Sequence, residues 1–224
     1  MSKFIEKISG SIEKTVTELN EKDFSVDPIA GTHFSKIVSV MSSAYKRHGF
    51  ILEKSILERV KESEDFEAWE EKVFNVNRAT ENALNEIDPA DRRTYNKDLN
   101  IEYTEDALRE LQVDLITYNK KTKAINAYEI KRGNGYHDSG RKRSMIRDLL
   151  SVKFLLKSYG EKRGYEIKSV GSYIIFYYGV CSLKKPFSLT RDELDGHFSF
   201  PIVEKVEEVN EYFRKRLYSI LSKT

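Results

Sequence analysis

Cysteine is nearly absent. The single residue, Cys181, can form no internal disulfide and lacks the partners of a cysteine metal site; in the apolar run SYIIFYYGVCSL it reads as a small buried hydrophobe. Histidine is scarce too, and His33, His48, His137 and His197 show neither H-x-x-H nor H-E-x-x-H spacing, which argues against zinc. No apolar run approaches the roughly 18 residues of a membrane span, and the opening MSKFIEKISGSIEK has acids and no signal-peptide core. The expectation is a cytoplasmic protein with no membrane partner. No G-x-x-x-x-G-K-[ST] loop occurs, so no nucleotide cofactor is expected.

What the chain does have is charge and aromatic content. Apolar residues make up 39% and charged residues 33% of 224 residues, with 13 Tyr and 12 Phe, a composition that suits a globular domain and argues against wholesale disorder. Nothing divides the chain convincingly, so a single domain over residues 1–224 is expected, with residues 1–48 as a helical N-terminal elaboration. The net charge of +2 hides an asymmetry. Residues 131–191 hold 14 Lys and Arg against 4 Asp and Glu, a net of +10, which leaves −8 for the rest. Such a basic stretch suits a polyanion, because each neutralised phosphate releases counterions.

Periodicity predicts a helix over Met1–Glu21, on Phe4, Ile5, Ile8, Ile12, Val16 and Leu19. Asp27-Pro28 and Gly31 mark a turn. Phe34, Ile37, Val38, Met41, Tyr45 and Lys46 then describe a second helix ending near His48-Gly49, with Gly49 at its C-cap. The Glu- and Lys-rich residues 49–84 read as one or two further helices broken near Ser63-Glu64, with Trp69 as an amphipathic-helix anchor, and Asp88-Pro89 ends the region. Residues 90–106 form a charged connector. Ser144–Tyr159 carries a stripe of Met145, Leu149, Val152, Leu156 and Tyr159, with Ser144 suited to the N-cap. Glu166–Leu183 reads as one or two buried strands, and Val206, Val209, Phe213, Leu217 and Ile220 mark a last helix. The sum is an α/β or α+β domain with a central mixed sheet flanked by helices.

The stretch Leu111–Gly133, LQVDLITYNKKTKAINAYEIKRG, carries the chemistry. It reads as two strands around a polar turn. A four-residue loop Lys120–Lys123 pairs Asn119 with Ala124, Leu115 with Tyr128 and Asp114 with Glu129. Glu129 and Lys131, two apart, then share the Asp114 face, while Val113, Leu115, Tyr128 and Ile130 face a core. Two opposed carboxylates repel unless a cation lies between them, and hard oxygen ligands suit Mg²⁺. Lys131 could serve as base or as electrostatic partner.

Asp114, fourteen intervening residues, then Glu129-Ile130-Lys131 resembles the core of the PD-(D/E)xK nuclease superfamily, which includes many type II restriction endonucleases; Val113 stands where the motif has its leading proline. The resemblance implies a restriction-endonuclease-like core and a Mg²⁺-dependent endodeoxyribonuclease, with Mn²⁺ able to substitute. It implies metal binding by Asp114, Glu129 and the Ile130 carbonyl, with Lys131 assisting the attacking water. The family's preceding helix often adds an acid, here Glu53 of GFILEKSILERV. Double-stranded DNA is the implied partner and a two-fold homodimer the implied assembly. The same core serves repair nucleases and Holliday-junction resolvases, and a noncatalytic DNA-binding module is the reading from another class.

After the motif, Arg132, Arg141, Lys142, Arg143 and Arg147 are candidates for backbone phosphates, and His137 lies among them in a Gly-containing loop. A second E-I-K, Glu166-Ile167-Lys168, precedes another strand but has no aspartate strand at hairpin distance before it.

Overall fold

The computed structural model describes residues 2–87, 99–133 and 136–222; Asp88-Pro89, most of the charged connector and Asn134-Gly135 lie outside them. The chain falls into two compact units, Met1–Arg59 with Asp195–Thr224, and Val60–Leu194. The expected elaboration over residues 1–48 lies within the first unit, which also takes in the C-terminal helix.

In the first unit, α1 (Lys3–Glu21) buries Phe4, Ile8, Ile12, Val16 and Leu19 of the stripe its periodicity predicts, with Ile5 partly buried at its side. Its Ser2 cap accepts from the Ile5 N–H, satisfying one of the donors a helix start leaves free. The C-terminal α6 (Val203–Leu221) buries Val206, Val209, Phe213, Leu217 and Ile220, the last four in one cluster with that stripe. The second helix departs from expectation. Instead of stopping at Gly49, α2 runs unbroken over Gly31–Lys61. Glycine inside a helix costs about 1 kcal/mol, and burial of Ile51, Leu52, Ile56 and Val60 beyond it outweighs that.

The second unit is a five-stranded sheet in the order β1-β2-β3-β4-β5. Strands β1 (Phe66–Val76), β2 (Arg109–Asn119) and β3 (Ala124–Lys131) form an antiparallel meander. Helix α4 (Ser139–Lys162) then crosses over to β4 (Ser169–Phe176), parallel to β3, and the short β5 (Ser188–Thr190) pairs parallel with β4. The short helix α3 (Arg78–Asn85) also belongs to this unit, which ends with a 3-10 turn (Arg191–Glu193); the short α5 (Leu194–Phe198) follows and lies almost wholly in the first unit. The mixed α/β architecture with a mixed sheet is the expected class.

Strand β1 is a correction, since Phe66–Val76 had read as helix and Trp69 as a helix anchor. Its Glu and Lys content favours helix in isolation, but Phe66, Phe74 and Val76 are buried and the strand covers the edge of β2 from Asn119 to Arg109. Unsatisfied backbone groups along so apolar a strand as β2 would cost more than the local preference is worth. Trp69 instead donates from Nε1 to the Tyr159 hydroxyl at 3.0 Å.

Helix α4 has its N-cap at Asp138, six residues before Ser144, and that side chain accepts from the Arg141 N–H at 2.9 Å. Its predicted stripe is buried. It approaches the sheet closely at Gly160, where a Cβ would stand 3.0 Å from the methyls of Ile125 and Ile167. Among the described residues, no helix is long and apolar enough to cross a membrane.

Candidate functional site

The hairpin register is the one the loop length implies: Asn119 faces Ala124 and Leu115 faces Tyr128. Paired register stops there, one residue short of Asp114. The cause lies on the other edge of β2. Between the pairs Trp69 with Ile116 and Glu71 with Val113, β1 advances two residues and β2 three. This extra residue is a bulge at Asp114-Leu115. It resets the alternation of the strand, so that Val113 and Ile116, three apart, join one apolar cluster with Ala127 and with Val152, Leu155 and Leu156 of α4. The expected grouping of Val113 with Leu115, Tyr128 and Ile130 on one face therefore does not hold.

At the bulge Asp114 turns its carboxylate toward the backbone of β3, where Oδ2 accepts from the Ile130 N–H at 2.7 Å. A residue in an antiparallel pair directs its N–H and C=O to the same edge, so the Ile130 carbonyl lies along that edge too. Lys131 donates from Nζ to Glu129 Oε1, and both side chains keep some exposure.

Burial pushes the Asp114 carboxyl up to about 6. The Ile130 N–H lowers it, Glu129 raises it again, Lys131 lowers it, and Glu70 of β1 adds a further upward push. An acid so placed is poorly solvated as an anion and lacks a full counter-charge.

Glu129 also lines a cleft of about 100 Å³ with Gln112, Val113, Ala127, Asp148, Leu149 and Val152. Asp148 of α4 had not been singled out in the sequence. Burial raises its carboxyl, Arg109 opposes that, and Glu129 adds to it. Arg109 donates to Asp148 Oδ1 at 2.7 Å, to Glu81 Oε1 at 2.6 Å and to Ser151 Oγ at 2.7 Å, tying β2 to α3 and α4. The signal available was positional: Asp148 stands three residues after Met145, at the flank of a stripe that had to cover the hairpin.

The basic candidates divide. Arg141, Lys142 and Arg143 occupy the first turn of α4, which holds no acid. Arg141 and Arg143 are exposed and Lys142 is half-buried. The N-cap carboxylate of Asp138 stands beside them at the positive end of the helix. Arg147 is engaged with Glu81 and with Asn85 Oδ1 at 2.8 Å. The Arg132 guanidinium stands 5.8 Å from the centre of the Tyr178 ring. Glu53 lies in α2, within the first unit and half-buried. His137 shares a hydrogen bond with Ser182 Oγ at 2.8 Å, and Cys181, half-buried, donates to the Leu183 carbonyl at 3.1 Å. The second E-I-K sits at the other end of the parallel pair, where the Lys168 N–H donates to the Lys123 carbonyl at 2.9 Å and Glu166 and Lys168 are about two-thirds exposed.

Among the described residues, no group of three or more His, Cys, Asp and Glu side chains is gathered for a metal ion. Mg²⁺ asks for less, namely one or two carboxylates, with water and phosphate oxygens filling its other positions. The donors at this edge, two carboxylates and a carbonyl, are hard oxygens of that kind, and the strained Asp114 anion is one that a cation would relieve. The chain matches no protein-family model, no curated protein and no solved structure.

Proposed function

We propose that the chain is a Mg²⁺-dependent endodeoxyribonuclease of restriction-endonuclease type, hydrolysing phosphodiester bonds in double-stranded DNA. One observation carries the reading: Asp114 reaches the backbone of the Glu129-Ile130-Lys131 strand while its carboxyl is held up to about 6 by burial and by Glu129. A hairpin that needed only an acceptor for the Ile130 N–H could use a neutral side chain there, without the cost of burying a carboxylate. The hairpin follows a helix in the chain and is itself followed by α4, and a helix on either side of the motif is what the PD-(D/E)xK resemblance implies, which supports the reading.

In this reading Asp114, Glu129 and the Ile130 carbonyl hold the metal, with Mn²⁺ able to replace Mg²⁺. When bound, such an ion polarises the scissile phosphate and acidifies a water to serve as nucleophile. Lys131, held on this face by its ion pair with Glu129, would either stabilise the charge that develops on the phosphate or accept a proton from the attacking water. Arg141, Lys142 and Arg143 bind backbone phosphates without reading bases. Two chains related by a two-fold would present one site to each strand.

A binding module without catalysis is the second reading. It is favoured by the internal satisfaction of the charges, Asp114 by the Ile130 N–H and Glu129 by Lys131. The deciding experiment is cleavage of a large unmethylated linear DNA with Mg²⁺, with EDTA, and with Glu129→Ala or Lys131→Ala protein. Discrete fragments that need the metal and both side chains support the restriction-type nuclease, whereas preference for four-way junctions points to a resolvase of the same fold. DNA that is bound but left intact on every substrate leaves the binding module.

A further inference from the structure

Two side-chain struts join α1 to α2 in the first unit. Lys54 donates from Nζ to Ser11 Oγ at 2.6 Å, and Arg47 donates to Glu18 Oε2. Ser11 and Glu18 stand seven residues apart on α1, as do Arg47 and Lys54 on α2, so each helix sets its two strut residues on one face about 10 Å apart. Between the struts lies a cleft of about 510 Å³, with Lys14 and Thr15 on the α1 side and Phe50 and Ile51 on the α2 side. Ile51 is buried, while the Phe50 side chain is left 67% exposed.

The charges of this cleft do not balance. Lys14, Arg47 and Lys54 line it with one carboxylate, Glu18, which leaves a net charge of +2. That carboxylate is taken up by Arg47, and Lys14 reaches it only at 4.0 Å. Lys54 meets a neutral hydroxyl. Like charges gathered around one cleft repel, and an anion placed among them removes the cost.

The imbalance selects the ligand. A phosphate monoester has a second pKa near 6, so it approaches two negative charges at neutral pH, and it offers three strong acceptor oxygens. Ammonium and guanidinium groups and the Thr15 hydroxyl are donors for such oxygens. The uncovered ring of Phe50 supplies a flat apolar face of the kind on which a nucleobase stacks. We propose that the cleft binds a nucleoside monophosphate, with its phosphate among Lys14, Arg47 and Lys54 and its base on Phe50. The volume falls within the range of small-ligand sites. Because the donors are side chains on two helices, the site needs no Gly-rich phosphate loop. It lies wholly within the first unit and does not rest on the nuclease reading.

The test is calorimetric titration of the full chain, without DNA or metal, with four probes: adenosine 5′-monophosphate, inorganic phosphate, adenosine, and adenosine 3′,5′-cyclic monophosphate, whose phosphodiester carries a single charge. The 5′-monophosphate is expected to bind on the order of tenfold or more tighter than each of the others. Lys54→Gln and Phe50→Ala should each weaken it on the order of tenfold, with Phe50→Ala leaving the affinity for inorganic phosphate unchanged. Lys36→Gln, an exposed cation about 16 Å before Arg47 on the same helix, should change nothing. Lys54 and Phe50 are exposed, so both variants are expected to melt as wild type does. Equal affinity for the 5′-monophosphate and inorganic phosphate, indifference to Phe50→Ala and Lys54→Gln, or an equal loss in Lys36→Gln overturns the proposal. So does a DNA duplex that binds through Lys54 while the 5′-monophosphate does not, which would give the cleft to nucleic acid. Cations that serve only to join α1 to α2 would bind none of the four probes.

Discussion

The Ile130 N–H donates to Asp114 Oδ2 at 2.7 Å, just beyond the last paired residues of the β2–β3 hairpin, Leu115 and Tyr128. A ladder bond has been exchanged for a side-chain bond, and the side chain is the acid on which the proposed chemistry depends.

Asp114 makes stability fall as pH rises. Its ordinary value is near 3.8 and its folded value about 6, so between those values the folded chain keeps a proton that the unfolded chain has lost. The contribution is intact below about pH 4 and is lost through about 6, on the order of 2–3 kcal/mol in all. Asp114→Asn retains an acceptor for Ile130 and has no charge to bury. Its melting temperature above pH 6 is expected to exceed that of wild type while cleavage is abolished. A variant less stable than wild type at pH 8 would show that the carboxylate is not under strain.

Metal affinity should follow the same titration. A cation binds the deprotonated carboxylate, so Mn²⁺ affinity measured by calorimetry is expected to rise as pH climbs from 5 through about 6 and then level off. In Asp114→Asn that rise should vanish. Binding with the same pH profile in both proteins would place the ion elsewhere.

The ion pair at the motif separates two roles. Glu129→Gln should remove both metal binding and cleavage. Lys131→Met should keep Mn²⁺ binding and reduce the cleavage rate on the order of 10²–10⁴-fold. Loss of metal binding in Lys131→Met would contradict the assigned division.

Gly133 follows the motif with φ +81°, and a Cβ there would stand 1.9 Å from the Tyr178 carbonyl oxygen. The neighbouring Tyr177 and Tyr178 N–H groups donate to the Lys131 and Arg132 carbonyls at 2.9 and 2.7 Å, so the backbone has little room to move aside. Gly133→Ala is expected to cost on the order of 2–4 kcal/mol in denaturant unfolding. A cost below about 1 kcal/mol, the ordinary glycine effect, would contradict the contact.

Glu81 receives both Arg109 and Arg147, which lowers its carboxyl against the cost of burial. Glu81→Ala should destabilise by about 2 kcal/mol, because it leaves two half-buried guanidinium groups short of a partner. Arg109 retains Asp148 and Ser151, so Arg109→Ala should cost at least as much. Equilibrium unfolding of the two variants checks the order.

Some of this was written in local pattern alone. The stripes of α1, α4 and α6 repeat at helical spacing, and burying such a stripe satisfies both the backbone and the apolar side chains, so no distant residue was needed to define them. The hairpin register followed from the length of one loop. Asp114, Glu129 and Lys131 could thus be named from their spacing. Other features needed the folded neighbours. Phe66–Val76 became a strand because β2 required a partner along its edge, against the helical leaning of its own Glu and Lys. Gly49 stayed inside α2 because the residues after it had a core to enter. The bulge at Asp114-Leu115 arises from a mismatch between two strands forty residues apart, and neither strand's sequence announces it. That mismatch decided where the Asp114 carboxylate points, while α4 decided that Asp148 would share a cleft with Glu129. Periodicity and loop length act through near neighbours, whereas strand partners, bulges and the desolvation of an acid depend on what the rest of the chain brings alongside.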